Sequence, residues 1–225
     1  VGDHVEESLP GGFLLTDNRL EYLTILGAIH SADRLTGIES AMLTTTAINA
    51  RIDASQFSGP TALYGGPGND TILGGKSDDS LQGFHGNDVM YGNGGDDQLQ
   101  GSSGSDRLYG GKGDDRLEGK GGSFDTLIGG PGTDILDGGE GLDVVQTAST
   151  IRDISLTSDE LRRGAEVDRV ISIETAHILK LESVEVDFSR FRHTGQHAPQ
   201  VLNRTEIPEL DQYEITASNQ PGDED

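Results

Sequence analysis

Nine aspartates stand at almost constant intervals: Asp70, Asp79, Asp88, Asp97, Asp106, Asp115, Asp125, Asp134 and Asp143. Each closes a glycine-rich stretch and is followed two residues later by one apolar side chain: Ile72, Leu81, Met90, Leu99, Leu108, Leu117, Leu127, Leu136 or Val145. Carboxylates repeated with that regularity form a column, and a column of carboxylates binds hard divalent cations. If stacked at the spacing of β-strands, about 4.8 Å, neighbouring charges repel by about 0.9 kcal/mol in water and several-fold more where partly buried. A divalent cation between them reverses the sign. Calcium suits such a column, because it accepts six to eight oxygens from carboxylates and backbone carbonyls in tolerant geometry. Magnesium demands a strict octahedron and keeps its waters. Zinc is disfavoured by the absence of Cys and by only six scattered His.

The elements that must hold these aspartates follow from the residues around them. The runs GGPGNDTIL (Gly65 to Leu73), GGKSDDSLQ, GFHGNDVMY, GNGGDDQLQ, GSSGSDRLY and GGKGDDRLE follow without a break. GKGGSFDTLI (Gly119 to Ile128) carries one extra residue, and GGPGTDILD and GGEGLDVVQ close the series at Gln146. Glycine permits a sharp turn with φ > 0. The three residues after each Asp make a strand too short to stand alone, so each unit must cover its neighbour, as in a solenoid. Turns alternating between two edges place the Asp of repeat n beside that of repeat n+2. The predicted fold class is all-β, a solenoid of nine repeats. A flexible glycine-rich linker or a solvated acidic face would account for the composition, since 24 of 33 Gly lie in this tract. Neither would return an aliphatic residue beside every Asp.

The tract resembles the RTX (repeats-in-toxin, haemolysin-type) calcium-binding nonapeptide, GGxGxDxUx. The resemblance implies a parallel β-roll with ions between turns n and n+2, held by the sixth-position Asp and turn carbonyls. The pairs would be Asp70 with Asp88, Asp79 with Asp97, Asp88 with Asp106, Asp97 with Asp115, Asp106 with Asp125, Asp115 with Asp134, and Asp125 with Asp143: up to about seven Ca²⁺. Departures from the pattern are Phe84, Asn93, Ser102 and Lys120 at the second glycine, Ser77 at the third, the extra residue of the seventh repeat, and Phe124 before its Asp.

Charge and composition agree with a metal-dependent extracellular module. Sixteen Lys+Arg against thirty-nine Asp+Glu leave −23, which disfavours nucleic acid and an anionic membrane surface as partners. Without Cys there are no disulfides, so calcium would do the stapling outside a cell. Extracellular calcium modules work near 10⁻⁴–10⁻³ M, so secretion or display on the cell surface is expected. No stretch of 18 apolar residues would span a membrane. No signal peptide opens the sequence at Val1, and the chain is expected to be a piece of a larger bacterial polypeptide.

The repeats are bracketed by two related segments. LTDNRL, DRLTGIESA and IDASQF (Leu15 to Phe57) precede them; LTSDEL, DRVISIETA and VDFSRF (Leu156 to Phe191) follow in the same order. Alternation at Ile151, Ile154, Leu156, Val184 and Val186 reads as half-buried strand, whereas LTDNRL and LTSDEL read as turns or single helical turns. The expected organisation is an N-terminal tail (1–11), a flank capping one end of the solenoid (12–64), the roll (65–146), a second cap (147–192), and a linker with an acidic tail (193–225). Small binding domains are the alternative for the flanks.

No catalytic constellation is present: no H-E-x-x-H, no G-x-S-x-G and no Cys nucleophile. The chain is expected not to be an enzyme but a calcium-binding structural module. Two alternatives are an adhesin region making calcium-dependent cell, matrix or glycan contacts, and an accessory part of a secreted hydrolase or cytolysin.

Overall fold

The computed structural model describes residues 12–21, 37–147 and 159–173 in full, and further strands by their backbone pairing. All regular structure among the described residues is β-strand. Before the repeats lie β1 (Asp3–Leu9), β2 (Gly12–Thr16), β3 (Arg19–Leu23), β4 (Ile29–Arg34), β5 (Ile38–Thr45), β6 (Arg51–Gln56) and β7 (Thr61–Pro67). The repeats contribute β8 (Thr71–Leu73), β9 (Ser80–His85), β10 (Val89–Gly94), β11 (Gln98–Gly104), β12 (Arg107–Lys112), β13 (Arg116–Gly122), β14 (Thr126–Ile128), β15 (Ile135–Asp137) and β16 (Val144–Ser149). After them come β17 (Asp153–Thr157), β18 (Glu160–Arg163), β19 (Glu166–Ile171), β20 (Thr175–Lys180), β21 (Glu185–Arg190), β22 (Pro199–Val201), β23 (Thr205–Ile207) and β24 (Leu210–Ala217).

Successive strands of the repeats enter two sheets alternately, which makes a parallel β-solenoid. One sheet holds β8, β10, β12, β14 and β16; the other holds β9, β11, β13 and β15. Strand pairing joins residues 18 apart, as in Leu81 with Leu99 and Ile72 with Met90. Across the extra residue of the seventh repeat the offset becomes 19, joining Leu108 with Leu127 and Leu117 with Leu136. The insertion is absorbed in the turn and the columns stay aligned. Two repeats therefore form one coil.

The period of two along each short strand sends the eighth-position side chain inward. Ile72, Leu81, Met90, Leu99, Leu108, Leu117, Leu127, Leu136 and Val145 are all buried in one continuous apolar cluster. Each contributes about 2 kcal/mol of apolar burial, but only when the next coil covers it. The outward positions carry Tyr91 and Tyr109, stacked on neighbouring strands with ring centroids 4.6 Å apart.

The coil pattern begins before Gly65. β5 and β7 pair in parallel and lead into β9, while β6 pairs with β8. Phe13, Leu15, Leu20, Leu43, Ile52, Phe57 and Leu63 extend the same core. The two sequence-related flanks have the same strand plan. β2 and β3 form a hairpin with β4 beyond it, and β2 lies parallel to β6. β17, β18 and β19 repeat that meander, and β17 lies parallel to β21. LTDNRL is thus a two-residue hairpin turn at Asp17 and Asn18, not a helical turn; LTSDEL joins β17 to β18 with Leu156 opposite Leu161. The stretch read as an N-terminal tail contains β1, paired with β5. Within the stretch read as linker and acidic tail, Tyr213 to Ala217 falls in β24, which pairs with β20. Most of the linker RHTGQHAPQ and the final NQPGDED lie outside the described residues.

Candidate metal centre

Every turn that enters a repeat strand brings its sixth residue to the rim of the coil. All nine aspartates are buried, at 3 % exposure or less, and they fall into two ladders. Asp70, Asp88, Asp106, Asp125 and Asp143 line one edge; Asp79, Asp97, Asp115 and Asp134 line the other. At each step the backbone N–H of one Asp donates to Oδ1 of the Asp one coil later, at 2.7 Å for Asp70 to Asp88, 2.9 Å for Asp97 to Asp115 and 2.8 Å for Asp125 to Asp143. All seven predicted pairs are brought together in this way, including the three beyond the insertion. At the N-terminal ends the ladders run out on uncharged residues. Ala50 donates to Asp70, and Thr61 donates to Asp79 through both its N–H and its hydroxyl.

One oxygen of each carboxylate is consumed by this ladder; the second, Oδ2, turns toward the first glycine of its own turn. A methyl group on Gly92 would lie 2.2 Å from Asp97 Oδ2 and 2.5 Å from the carbonyl oxygen of Gly110, one coil on. At Gly119 the corresponding atoms are Asp125 Oδ2 at 2.3 Å and the Gly138 carbonyl at 2.4 Å. Only a residue without Cβ leaves that space to two oxygens, which explains why the first position is glycine in all nine repeats. Oδ2 of Asp70, Asp88, Asp97, Asp106, Asp115 and Asp125 is buried with no hydrogen-bond partner. Leaving a buried anionic oxygen unpaired costs several kcal/mol. The donor set, carboxylate and carbonyl oxygens facing a cradle, fits a hard cation such as calcium. No three His, Asp or Glu side chains converge among the described residues, so backbone carbonyls must supply part of any coordination shell.

Asp79 differs. Its Oδ2 accepts a hydrogen bond from Gly75 N–H at 2.5 Å. Ser77, in place of the third glycine, donates its hydroxyl to the Ser58 carbonyl at 2.7 Å and ties this turn to the preceding flank. The Asp79–Asp97 step therefore offers one open carboxylate oxygen fewer than its neighbours.

Burial raises the proton affinity of the column. It pushes Asp97 up to about 8, with the Asp79 amide holding it back and neighbouring carboxylates adding to the rise. Asp106 and Asp134 are pushed to about 7, and Asp70, Asp88 and Asp115 to about 6, burial being the main cause in each. Asp79 and Asp125 shift the same way. The column is thus a poor home for anions alone.

Where glycine is replaced at the second position the backbone stays left-handed: φ is 79° at Phe84, 76° at Asn93, 86° at Ser102 and 77° at Lys120. Those departures leave the turn geometry intact and store strain in it. Two further features escaped the sequence reading. The fifth residues form ladders of opposite sense: Asn87 N–H donates to Asn69 Oδ1, and Ser105 N–H to Asn87 Oδ1, on one edge. On the other, Asp96 N–H donates to Asp78 Oδ1 and Asp114 N–H to Asp96 Oδ1. The recurrence of Asn or Asp at 69, 78, 87, 96 and 114 was the available signal. The second is Asp168, 1 % exposed, whose Oδ1 accepts from Asp134 N–H at 3.1 Å and so extends one ladder past the last repeat.

A two-repeat coil with glycine turns, inward aliphatics and acidic rims defines a metal-binding parallel β-roll. Residues 64–99, 91–123 and 121–145 match the family model described as RTX calcium-binding nonapeptide repeat (4 copies). The chain carries a tract of RTX repeats, a calcium-binding structural module, over rather more than a third of its length. Comparison with curated proteins and with solved structures returned no match. Among the described residues no helix is long and apolar enough to cross a membrane.

Proposed function

We propose that the two aspartate ladders hold calcium between successive coils, and that the roll assembles on ion binding outside the cell to stiffen a larger secreted or surface polypeptide. The carrying observation is the row of buried Oδ2 atoms without hydrogen-bond partners, those of Asp70, Asp88, Asp97, Asp115 and Asp125 each sharing a glycine cradle with a carbonyl of the next coil. Asp70, Asp88, Asp106, Asp125 and Asp143 serve one edge; Asp79, Asp97, Asp115 and Asp134 serve the other, for up to about seven ions. Bound cation supplies the positive charge that lets both carboxylates of a step stay ionised while buried. Since the cradle exists only when coils stack, binding free energy becomes folding free energy. The net charge of −23 without calcium favours an expanded chain, and millimolar calcium outside the cell favours the stacked one. Circular dichroism across a calcium titration tests this: β signal should grow with calcium and respond far less to magnesium. A β signal that is complete in chelator overturns it.

A further inference from the structure

We infer that Arg163 is a built-in cation for the Asp134–Asp168 step, its guanidinium standing where the other steps of that ladder would hold calcium. The inference rests on the calcium reading above and concerns a step that reaches past the last repeat.

The step is built like those before it. Asp134 N–H donates to Asp168 Oδ1 at 3.1 Å, as Asp115 N–H does to Asp134 at 2.9 Å. The Asp134 carbonyl accepts from Arg169 N–H at 2.7 Å, as the Asp115 carbonyl accepts from Ile135 N–H at 2.8 Å. β19 continues the sheet beside β15, with Val170 in register with Leu136. Asp168 thereby occupies the ladder position that a tenth repeat would fill, although 34 residues separate it from Asp134.

What differs is the occupant of the step. Arg163, 6 % exposed, reaches it from the neighbouring β18. Its Nη2 donates to both carboxylate oxygens of Asp168, at 2.9 and 2.8 Å, and lies 3.6 Å from Asp134 Oδ2. Its Nη1 donates to the carbonyl of Gly130, in the turn of the eighth repeat. Two ladder carboxylates and one turn carbonyl are the oxygens that a hard cation would gather; here a planar, permanently charged group gathers them. Glu166, 3.8 Å from the same nitrogen, adds negative charge at the rim. A guanidinium cannot be chelated or diluted away. The Asp134–Asp168 step should therefore stay closed when calcium is withdrawn, while the repeat steps open.

The test is ion stoichiometry by equilibrium dialysis with radioactive calcium on the full chain, comparing wild type with Arg163→Gln and Asp168→Asn. Removing the guanidinium should open a further site, so Arg163→Gln takes up one more ion than wild type. Asp168→Asn should lose none, because no ion sits there. An unchanged count in Arg163→Gln, or the loss of one ion in Asp168→Asn, overturns the inference while leaving the repeat sites standing. A wild type that takes up no calcium overturns both. Should Arg163→Gln fail to fold at saturating calcium, the Asp168→Asn count alone decides.

Discussion

Asp97 and Asp115 stand one coil apart on the same rim, the N–H of the first donating to Oδ1 of the second at 2.9 Å, while both Oδ2 atoms remain buried without hydrogen-bond partners. Half of each carboxylate holds the coil together and the other half is left open for a cation. That division makes the two oxygens separable by mutation.

Asp97→Asn keeps an oxygen to accept from the Asp79 amide and removes the charge. In calcium, Asp97→Asn should weaken two adjacent steps and raise the calcium midpoint of folding several-fold; in chelator it should stabilise, because a buried anion is gone. Asp88→Ala combined with Asp97→Ala loses charge and ladder bonds on both rims and should cripple assembly of the roll. Calcium titrations followed by circular dichroism distinguish the two. Full ion uptake and unchanged β signal in the double variant would overturn the assignment.

Gly92→Ala places a methyl group 2.2 Å from Asp97 Oδ2 and 2.5 Å from the Gly110 carbonyl. It should abolish ion uptake at that cradle and cost more than the roughly 1 kcal/mol that Gly→Ala gains at a compatible site by restricting the unfolded chain. Equal calcium stoichiometry in Gly92→Ala and wild type would sink the cradle.

Proton linkage has a defined sign here. Folding raises the aspartate pKa values from the ordinary 3.8 to about 6 at Asp88, about 7 at Asp106 and about 8 at Asp97. The metal-free coil therefore holds protons more tightly than the unfolded chain. Its stability is greatest below about pH 4 and falls as pH rises through the range from about 6 to about 8. Calcium competes with those protons, so apparent affinity should climb across the same window. Thermal melts in chelator from pH 4 to pH 9 check this, and a metal-free optimum near pH 8 would contradict it.

Ser102 sits at φ 86° with its hydroxyl oxygen buried and unpartnered. Ser102→Gly removes both penalties and should stabilise the calcium-loaded roll by about 1 kcal/mol. Asn93→Gly should gain less, because the Asn93 amide donates to the Gly74 carbonyl at 2.8 Å and offsets its strain. Denaturant midpoints at saturating calcium rank the two.

The roll itself was legible in the sequence because its determinants are periodic. An aliphatic residue or Met about every nine residues fixes the inward face, and the Asp two places earlier then has one position on the rim. Even the extra residue of the seventh repeat does no harm, since it enlarges a turn and leaves Leu108 opposite Leu127. Asp168 and Arg163 were not legible, because their place in the ladder depends on the β18–β19 hairpin folding back beside β15, a contact that no spacing announces. The Asp79 turn escaped for a related reason: Ser77 signalled a departure, but the Gly75 amide that fills the Asp79 carboxylate appears only once the turn rests on Ser58.

Because consecutive repeats feed opposite sheets, the tract can gain or lose repeats only in pairs. Excising one nonapeptide would hand every downstream aspartate to the other rim and deliver β19 to the wrong sheet, whereas excising two would shorten the molecule by a single storey and leave both ends correctly joined. Length can change freely in this architecture; parity cannot.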